Sequence, residues 1–136
     1  MKFALLIALM AVIFSVTGFG AAKIPDLTGN WTGSIAGYLE GSGYRELETG
    51  SINVTINEQN GRLFAGNMTF KLKDGKERVE GFAGALSPDY SKIYITEYAS
   101  GYDIGTILSE NEIELAAIDD SQPALMAIDH LYRVLT

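Results

Sequence analysis

The chain has 136 residues, with 17 acidic and 10 basic side chains and a formal net charge of −7 at pH 7. A surface of that charge repels nucleic acid and anionic lipid, so neither is expected as a partner. Cysteine is absent, which excludes disulfides, thiolate metal sites and a thiol nucleophile.

The first 22 residues predict a secretory signal peptide. Lys2 precedes an uncharged apolar run, and the small residues at 20–22 offer a site for signal peptidase. An uncleaved membrane anchor is the alternative, because the run is nearly long enough to span a bilayer. We expect a mature protein with a single β-barrel domain at 23–136, secreted or at the cell surface and without membrane contact after cleavage.

Apolar and polar residues alternate from residue 30 onward, with the period of two that half-buried strands require. Runs of glycine, proline, asparagine, aspartate and serine interrupt the alternation and are typical of turns. The pattern predicts eight short strands, at 30–40, 51–57, 62–72, 78–86, 92–98, 102–108, 112–118 and 124–135. For the last segment a helix beginning near Pro123 is the alternative, because its apolar residues also lie at helical spacing.

The second and third predicted strands form a hairpin. Centring the turn on Asn60 places Val54 opposite Gly66 and Asn53 opposite Asn67, and it keeps the apolar partners on one face. The turn then has three residues, and its glycine at position 61 is expected to be left-handed.

Eight consecutive strands with short connections predict an all-β fold, an eight-stranded antiparallel up-and-down barrel. Closure leaves such a sheet without open edges. Trp31, Gly33 and Gly37 share the inner face of the first strand, and Gly66 and Gly84 take inward positions on later strands. Inward glycines are expected to let a small barrel bend strongly and to leave room inside it.

Residues at the two ends of the predicted barrel carry a resemblance to a known family. Gly29-Asn30-Trp31 is similar to the G-x-W motif that opens the first strand of lipocalins, and Arg133 matches an arginine near the end of their last strand. The chain resembles the calycins, the ligand-binding barrels that include lipocalins and avidins. The resemblance implies that Arg133 packs across the Trp31 indole and closes one end of the barrel, with a cation–π contact of about 1 kcal/mol.

Two segments are also similar to avidin sequences, LTGNWT at 27–32 and DHLYRV at 129–134. The resemblance implies that Asp129 corresponds to the avidin aspartate that helps to bind the ureido group of biotin. Gly33 and Gly37 stand where avidins have an asparagine and a serine, and the later avidin tryptophans have no counterpart. Biotin binding is therefore not expected. The chain also resembles exported proteins of methanogenic archaea.

Motifs for catalysis are absent from the sequence, including the G-x-S-x-G elbow, the P-loop and H-E-x-x-H. The single histidine, His130, directly follows Asp129, and adjacent side chains of a strand point to opposite faces, so the two cannot act side by side on one strand. We therefore expect no enzymatic activity, no catalytic residues, no metal site and no cofactor.

The tripeptide Ser-Gly-Tyr occurs twice, at 42–44 and 100–102, at the barrel end opposite Trp31. One interpretation makes Tyr44 and Tyr102 ligand-binding residues, with rigid amphipathic rings at the rim of an open mouth. The alternative is ordinary turn chemistry, after which the two tyrosines simply begin strands.

Three sequons make the exported protein a candidate glycoprotein, with Asn30, Asn53 and Asn67 as the acceptors. Asn53 and Asn67 are cross-strand neighbours in the register given above, so two glycans would crowd each other and at most one is expected. Asn30 adjoins Trp31 and is the poorest acceptor. The alternative is that alternating strands produce such polar triplets by themselves.

The expected function is non-enzymatic binding of a small, largely apolar molecule inside the barrel, by analogy with the calycins. The alternative is a cell-envelope protein that binds or inhibits another protein, with its barrel filled by inward Phe64, Phe70 and Phe82. Asp129 is expected inside the barrel, where a carboxylate needs a partner or a raised pKa. It either pairs with Arg133 or accepts hydrogen bonds from a ligand.

Overall fold

The computed structural model describes residues 23–71 and 75–135. The predicted signal peptide at 1–22 lies outside the described residues, as does residue 72 at the end of the third predicted strand. The described residues contain eight strands that correspond in order to the predicted ones. They are β1 (Gly29–Leu39), β2 (Gly43–Asn60), β3 (Leu63–Lys71), β4 (Glu77–Leu86), β5 (Lys92–Glu97), β6 (Tyr102–Ser109), β7 (Glu112–Asp119) and β8 (Leu125–Arg133).

Each strand pairs antiparallel with the next, and β8 pairs with β1 to close the sheet into a barrel. The prediction of an all-β, eight-stranded antiparallel up-and-down barrel is confirmed. The last segment is a strand and not a helix, because it pairs along its length with both β1 and β7. Within the described residues, no helical segment has the length and apolar character that crossing a membrane requires.

The predicted register of the hairpin between β2 and β3 is wrong by two residues. Val54 lies opposite Met68 instead of Gly66, and Asn53 lies opposite Thr69. Because side chains alternate with a period of two, a shift of two leaves every side chain on its predicted face. The inner and outer faces of both strands are therefore as the sequence indicates, although their cross-strand partners differ.

A shorter turn and a bulge together cause this difference. Gly61 and Arg62 alone connect the strands, and Gly61 has the predicted left-handed conformation, with a φ of 61°. Between Ile56 and Glu58 the register shifts by one, so Asn57 is the extra residue of β2. A bulge of this kind adds one unpaired residue to one strand. Alternation alone does not locate it.

β2 is much longer than the predicted strand at 51–57, because it begins at Gly43. Its first part pairs with β1 so that Leu47 lies opposite Ile35, whereas its second part places Ile52 opposite Gly33. An irregularity separates the two registers. The residues before Ile52 are mostly polar or charged, so they lack the alternation from which a strand is predicted.

Two of the inward glycines allow close contacts of different kinds. A Cβ at Gly33 would lie 2.1 Å from the carbonyl oxygen of His130, so glycine lets the backbones of β1 and β8 approach each other. A Cβ at Gly84 would lie 2.3 Å from the ring of Phe64. The room left at Gly84 is thus occupied by an aromatic ring.

The hydrophobic core fills the half of the barrel that contains Trp31. The rings of Phe64 and Phe82 meet edge to face there, with their centroids 6.2 Å apart. The remaining void is only about 10 Å³, the lower limit for a single water molecule. The residues around it are Trp31, Val54, Ile56, Phe64, Phe82, Ile93, Ile95, Ile113, Leu115 and Leu131.

The segment before β1 covers this filled end. Leu27 is buried in the core, and Ile24 packs against it. The side-chain amide of Gln59 holds the segment in place: it accepts a hydrogen bond from the Leu27 N–H at 2.8 Å and donates one to the Pro25 carbonyl at 2.8 Å. The filled half is therefore closed by chain that lies outside the predicted strands.

Candidate functional site

The filled end of the barrel contains the predicted contact between Trp31 and Arg133. Trp31 is 1% exposed, and the Arg133 guanidinium carbon lies 4.3 Å from the centroid of its ring. The indole N–H donates to the Leu27 carbonyl at 3.0 Å. Arg133 also donates to three backbone carbonyl oxygens, those of Asp26, Thr28 and Glu110. It thus ties β8 to the segment that covers this end.

The other half of the barrel contains a cavity of about 560 Å³, a size within the range of small-molecule sites. Its apolar lining residues are Ile35, Gly37, Leu39, Leu47, Phe70, Ala117, Ile118, Leu125 and Ala127. Its polar lining residues are Ser42, Arg45, Lys71, Arg78, Glu97, Asp119 and Asp129. The interior is therefore filled in one half and hollow in the other.

Asp129 lies on the inner face of β8, between the core residue Leu131 and the cavity residue Ala127, and it is 3% exposed. The predicted inward position is confirmed. Of the two alternatives for Asp129, the structure does not contain the ion pair with Arg133, because four residues along a strand separate the two by about 13 Å and Arg133 binds backbone carbonyls instead. The Oδ1 atom of Asp129 is buried and has no hydrogen-bond partner among the described residues.

Asp129 belongs to a group of four inward acidic residues, which we call the carboxyl layer: Glu80 on β4, Glu97 on β5, Asp103 on β6 and Asp129 on β8. Asp103 is 1% exposed, and neither of its carboxyl oxygens has a hydrogen-bond partner in the part of the chain that the structure describes. The layer lies across the middle of the barrel, since Asp129 and Glu97 line the cavity and Asp103 pairs with the core residue Ile95.

Burial and mutual repulsion raise the pKa values of three of these carboxyls. Burial, followed by the Glu97 charge, raises the pKa of Asp129 to about 7. Burial and the charges of Asp129 and Glu80 raise the pKa of Asp103 to about 7. Burial and the charges of Asp103 and Glu80 raise the pKa of Glu97 to about 8, against the opposing effect of Arg78. Near neutral pH the layer therefore holds protons that exposed carboxyls would have lost.

Glu80 has more partners than the other three carboxyls, and one of them is the side chain of Glu97. The Oε1 of Glu80 accepts hydrogen bonds from the backbone N–H groups of Ala99 and Ser100, at 3.0 and 3.3 Å. Its Oε2 lies 3.2 Å from a guanidinium nitrogen of Arg78. Glu80 thus anchors the connection between β5 and β6, which leaves the cavity-facing chemistry of the layer to Asp129 and Glu97.

Sequence reasoning found Asp129 and missed the rest of the carboxyl layer. A usable signal was present, because Glu80 is two residues before Phe82 and Asp103 is two residues before Gly105. Each acidic side chain therefore points to the same face of its strand as an inward residue. An acidic residue on the apolar face of a strand is unusual, since a buried charge is costly. That the acidic residues of different strands lie at one level follows only from the registers around the barrel.

Tyr44 and Tyr102 are exposed on the outer wall, and neither is among the residues that line the cavity. The structure brings them into one row of cross-strand partners, although 58 positions separate them in the chain. We call this the outer tyrosine row; it runs Tyr44, Tyr38, Met126, Ile118, Tyr102 across β2, β1, β8, β7 and β6. Ile118 also borders the cavity. The rings of Tyr38 and Tyr44 meet at 5.5 Å.

The three sequon asparagines lie on the outer wall of β1, β2 and β3. Asn30 is exposed and accepts a hydrogen bond from the Thr55 hydroxyl at 2.9 Å. Asn53 is half-buried and donates to the Gly50 carbonyl at 3.4 Å, whereas Asn67 is exposed. Asn67 lies opposite Thr55, so the predicted direct pairing of Asn53 with Asn67 is wrong. Glycosylation at these positions stays a prediction.

His130 lies on the outer wall, where its Nε2 is 2.7 Å from a carboxylate oxygen of Glu112. Among the residues that the structure describes, no three histidine, cysteine, aspartate or glutamate side chains are arranged to hold a metal ion.

A comparison of the chain with models of known protein families finds no match, and a comparison with curated proteins finds none either. The resemblance to calycins therefore stays a prediction from the residues at the two ends of the chain.

Proposed function

We propose that this protein is a secreted or cell-surface carrier that binds a small, largely apolar molecule in its half-hollow barrel and catalyses no reaction. The observation that carries the proposal is the cavity of about 560 Å³ on the mouth side of the carboxyl layer. A small barrel has just enough room for its own side chains or for one small ligand. Here the side chains occupy one half only, so the other half is available.

The lining of the cavity supports the apolar character of the ligand. Nine lining residues are apolar, including Leu39, Leu47 and Phe70. Apolar walls with a few placed polar groups are typical of small-molecule sites. Removing apolar surface from water contributes about 25 cal/mol per Å², so a ligand of this kind gains affinity from the wall and orientation from the polar residues. The resemblance to calycins is consistent with this use of a barrel.

A titration with N-phenyl-1-naphthylamine, a neutral probe that fluoresces in apolar surroundings, tests the proposal. We expect saturable binding with one probe per chain. Ala117→Phe places a ring in the cavity and should abolish binding, because Ala117 lines the cavity wall. Ala116→Phe is the matched control, since Ala116 lies next to it on the outer face of β7. Equal binding by both variants would show that the probe does not use the cavity.

A second candidate function is protein binding through the outer wall, and the outer tyrosine row is the observation that favours it. Tyr38, Tyr44, Tyr102 and Met126 are all about half exposed or more. Contiguous exposed apolar surface is typical of interaction sites, and tyrosine is enriched in protein interfaces. This candidate needs no ligand in the cavity.

Native mass spectrometry of protein isolated from its source separates the two candidates. A retained small molecule, lost in Ala117→Phe and kept in Ala116→Phe, supports the carrier. A stoichiometric protein partner, lost when Met126→Lys places a charge in the outer tyrosine row, supports the second candidate. The two substitutions lie on opposite faces of the wall, so each outcome identifies one surface.

A further inference from the structure

The carboxyl layer contains buried acceptors that the protein itself leaves unused. Asp129 Oδ1 and both carboxyl oxygens of Asp103 are buried without hydrogen-bond partners among the described residues. Buried polar groups are normally satisfied, and an exception calls for an explanation. Asp129 also lines the cavity, so its carboxyl group lies where the cavity meets these unused acceptors.

Among the residues that the structure describes, no cation lowers the raised pKa values of Asp129 and Asp103. Arg45, Lys71 and Arg78 line the cavity but are exposed, which places them at its mouth. Arg78 pairs with Glu80 at 3.2 Å and lies over the Phe70 ring at 4.9 Å. Its charge thus acts on Glu80 and also opposes the raised pKa of Glu97, while Asp129 and Asp103 repel each other.

From the unpaired Asp129 carboxyl at the inner end of an apolar cavity, we infer that the ligand is an amphipathic organic cation. Its ammonium group lies against Asp129, and its apolar body lies along the wall formed by Leu39, Leu47 and Leu125. This inference rests on the proposed carrier function and adds the chemical class of the ligand. The net charge of the chain, −7, favours the approach of a cation.

A cation fits this site better than a neutral donor because it relieves repulsion as well as supplying a hydrogen bond. A neutral hydroxyl or amide would satisfy one oxygen and leave the repulsion among Asp129, Asp103 and Glu97 unchanged. An ammonium group adds a charge-assisted hydrogen bond, which is roughly twice as strong as a neutral one. The fold has already removed water from these carboxyls, so the ligand meets a preorganised partner.

Binding of an ammonium ion should therefore strengthen as the pH rises through 7. Burial raises the pKa of Asp129 to about 7, so its ionised fraction grows about tenfold between pH 6 and pH 8. An alkylammonium ion keeps its own charge over that range. The other ionisable groups that face Asp129 inside the barrel are Glu80, Glu97 and Asp103, with Arg45, Lys71, Arg78 and Asp119 toward the mouth.

Calorimetric titration with three probes of equal chain length tests the inference: n-octylammonium, n-octanol and n-octanoate. At pH 8 we expect n-octylammonium to bind at least tenfold more tightly than n-octanol, and n-octanoate to bind most weakly. The affinity for n-octylammonium should fall about tenfold at pH 6. Titrations at pH 6 in buffers of different ionisation enthalpy should show that binding releases a proton.

Asp129→Asn keeps the shape of the side chain and removes its charge. We expect it to reduce the affinity for n-octylammonium at least tenfold and to leave that for n-octanol unchanged, which also shows that the cavity is intact. Glu114→Gln, on the outer face of β7, removes a charge of the same sign and should change neither affinity.

The outcomes separate this inference from the proposed function. If n-octanol binds as tightly as n-octylammonium, or if Asp129→Asn weakens both equally, the cationic ligand is wrong and the apolar carrier remains. If none of the three probes binds, and N-phenyl-1-naphthylamine does not bind either, both are overturned.

Discussion

The two halves of the barrel share one sheet and differ in how their interiors are occupied. Around Trp31 the inward residues are large and leave a void of about 10 Å³. Toward the mouth, Gly37, Ala117 and Ala127 take inward positions, and a cavity of about 560 Å³ remains. The fold therefore does not decide whether this barrel is hollow. The sizes of a few inward side chains decide it, separately for each half.

The carboxyl layer marks the boundary between the two halves. Core residues lie on one side of it and cavity residues on the other, as Leu131 and Ala127 do on either side of Asp129. Buried carboxyls without partners cost stability, and the filled half supplies the stability that offsets this cost. The comparison indicates that one half maintains the fold and the other is free to bind. Four predictions test it, beginning with the largest expected effect.

Removing the indole of the filled half should be the most damaging change. Trp31→Ala is expected to lower the free energy of unfolding by about 3–5 kcal/mol, because Trp31 is almost fully buried. Tyr38→Ala, on the outer wall of the same strand and 66% exposed, loses only the ring contact with Tyr44 and should change it by about 1 kcal/mol or less. Urea unfolding of both variants measures the difference. Equal losses in the free energy of unfolding would contradict the conclusion that Trp31 stabilises the filled half.

Added volume should be tolerated in one half only. Ile95→Phe enlarges a residue beside the 10 Å³ void and should cost about 1–3 kcal/mol. Ala117→Phe adds more volume but directs it into the cavity, so its cost should stay below about 1 kcal/mol. Thermal and urea unfolding give both values. The comparison between the halves fails if Ala117→Phe is the more destabilising of the two.

The carboxyl layer should make the protein less stable as the pH rises from 5 to 8. An unfolded aspartate loses its proton near pH 3.8, whereas Asp103 in the folded protein has a pKa of about 7. Between these values the unfolded state binds fewer protons, so the free energy of unfolding falls with rising pH. Asp103→Asn should gain roughly 2 kcal/mol over wild type across this range.

Urea unfolding at pH 5, 6, 7 and 8 measures this gain. Glu114→Gln removes an exposed carboxylate from the outer face and is the control for the change in net charge. Its difference from wild type should be independent of pH. A constant difference for Asp103→Asn as well would mean that this carboxyl ionises normally in the folded protein.

The two ends should also differ in how much an arginine contributes. Arg133→Gln removes the contact with Trp31 and weakens hydrogen bonds to backbone carbonyls at the closed end, which should cost about 1–2 kcal/mol. Arg45→Gln at the mouth alters an exposed side chain and should cost less than about 0.5 kcal/mol. Urea unfolding at pH 5 compares them without ionising most of the carboxyl layer. A larger effect at the mouth would contradict the closure of the other end by Arg133.

The alternation of inward and outward side chains along each strand was enough to predict part of the site. It places Trp31 and Arg133 inside the barrel at one end, and it places Asp129 on the same inner face of the last strand. It could not exclude an Asp129–Arg133 pair, because alternation gives the face of the strand that a side chain takes and not how far the side chain reaches. The distance along the strand and the backbone carbonyls near Arg133 decide that question.

Contacts between strands were harder to predict. The β2–β3 register differs from the predicted one because Asn57 is an extra residue and the turn is shorter than expected. The outer tyrosine row aligns Tyr44 and Tyr102 at the same level of the wall through four successive strand pairings. No local pattern contains that information, since each pairing adds its own register to the ones before it.

The sequence by itself indicated the strands, the face of each side chain and the antiparallel barrel, because these follow from alternation and short turns. The resemblance to calycins implied that Trp31 and Arg133 close one end. The tertiary structure alone decided the height of each residue along the barrel. Height depends on the sum of registers and bulges around the closed sheet. It gathers Glu97, Asp103 and Asp129 into one layer, and it leaves the space beside them open.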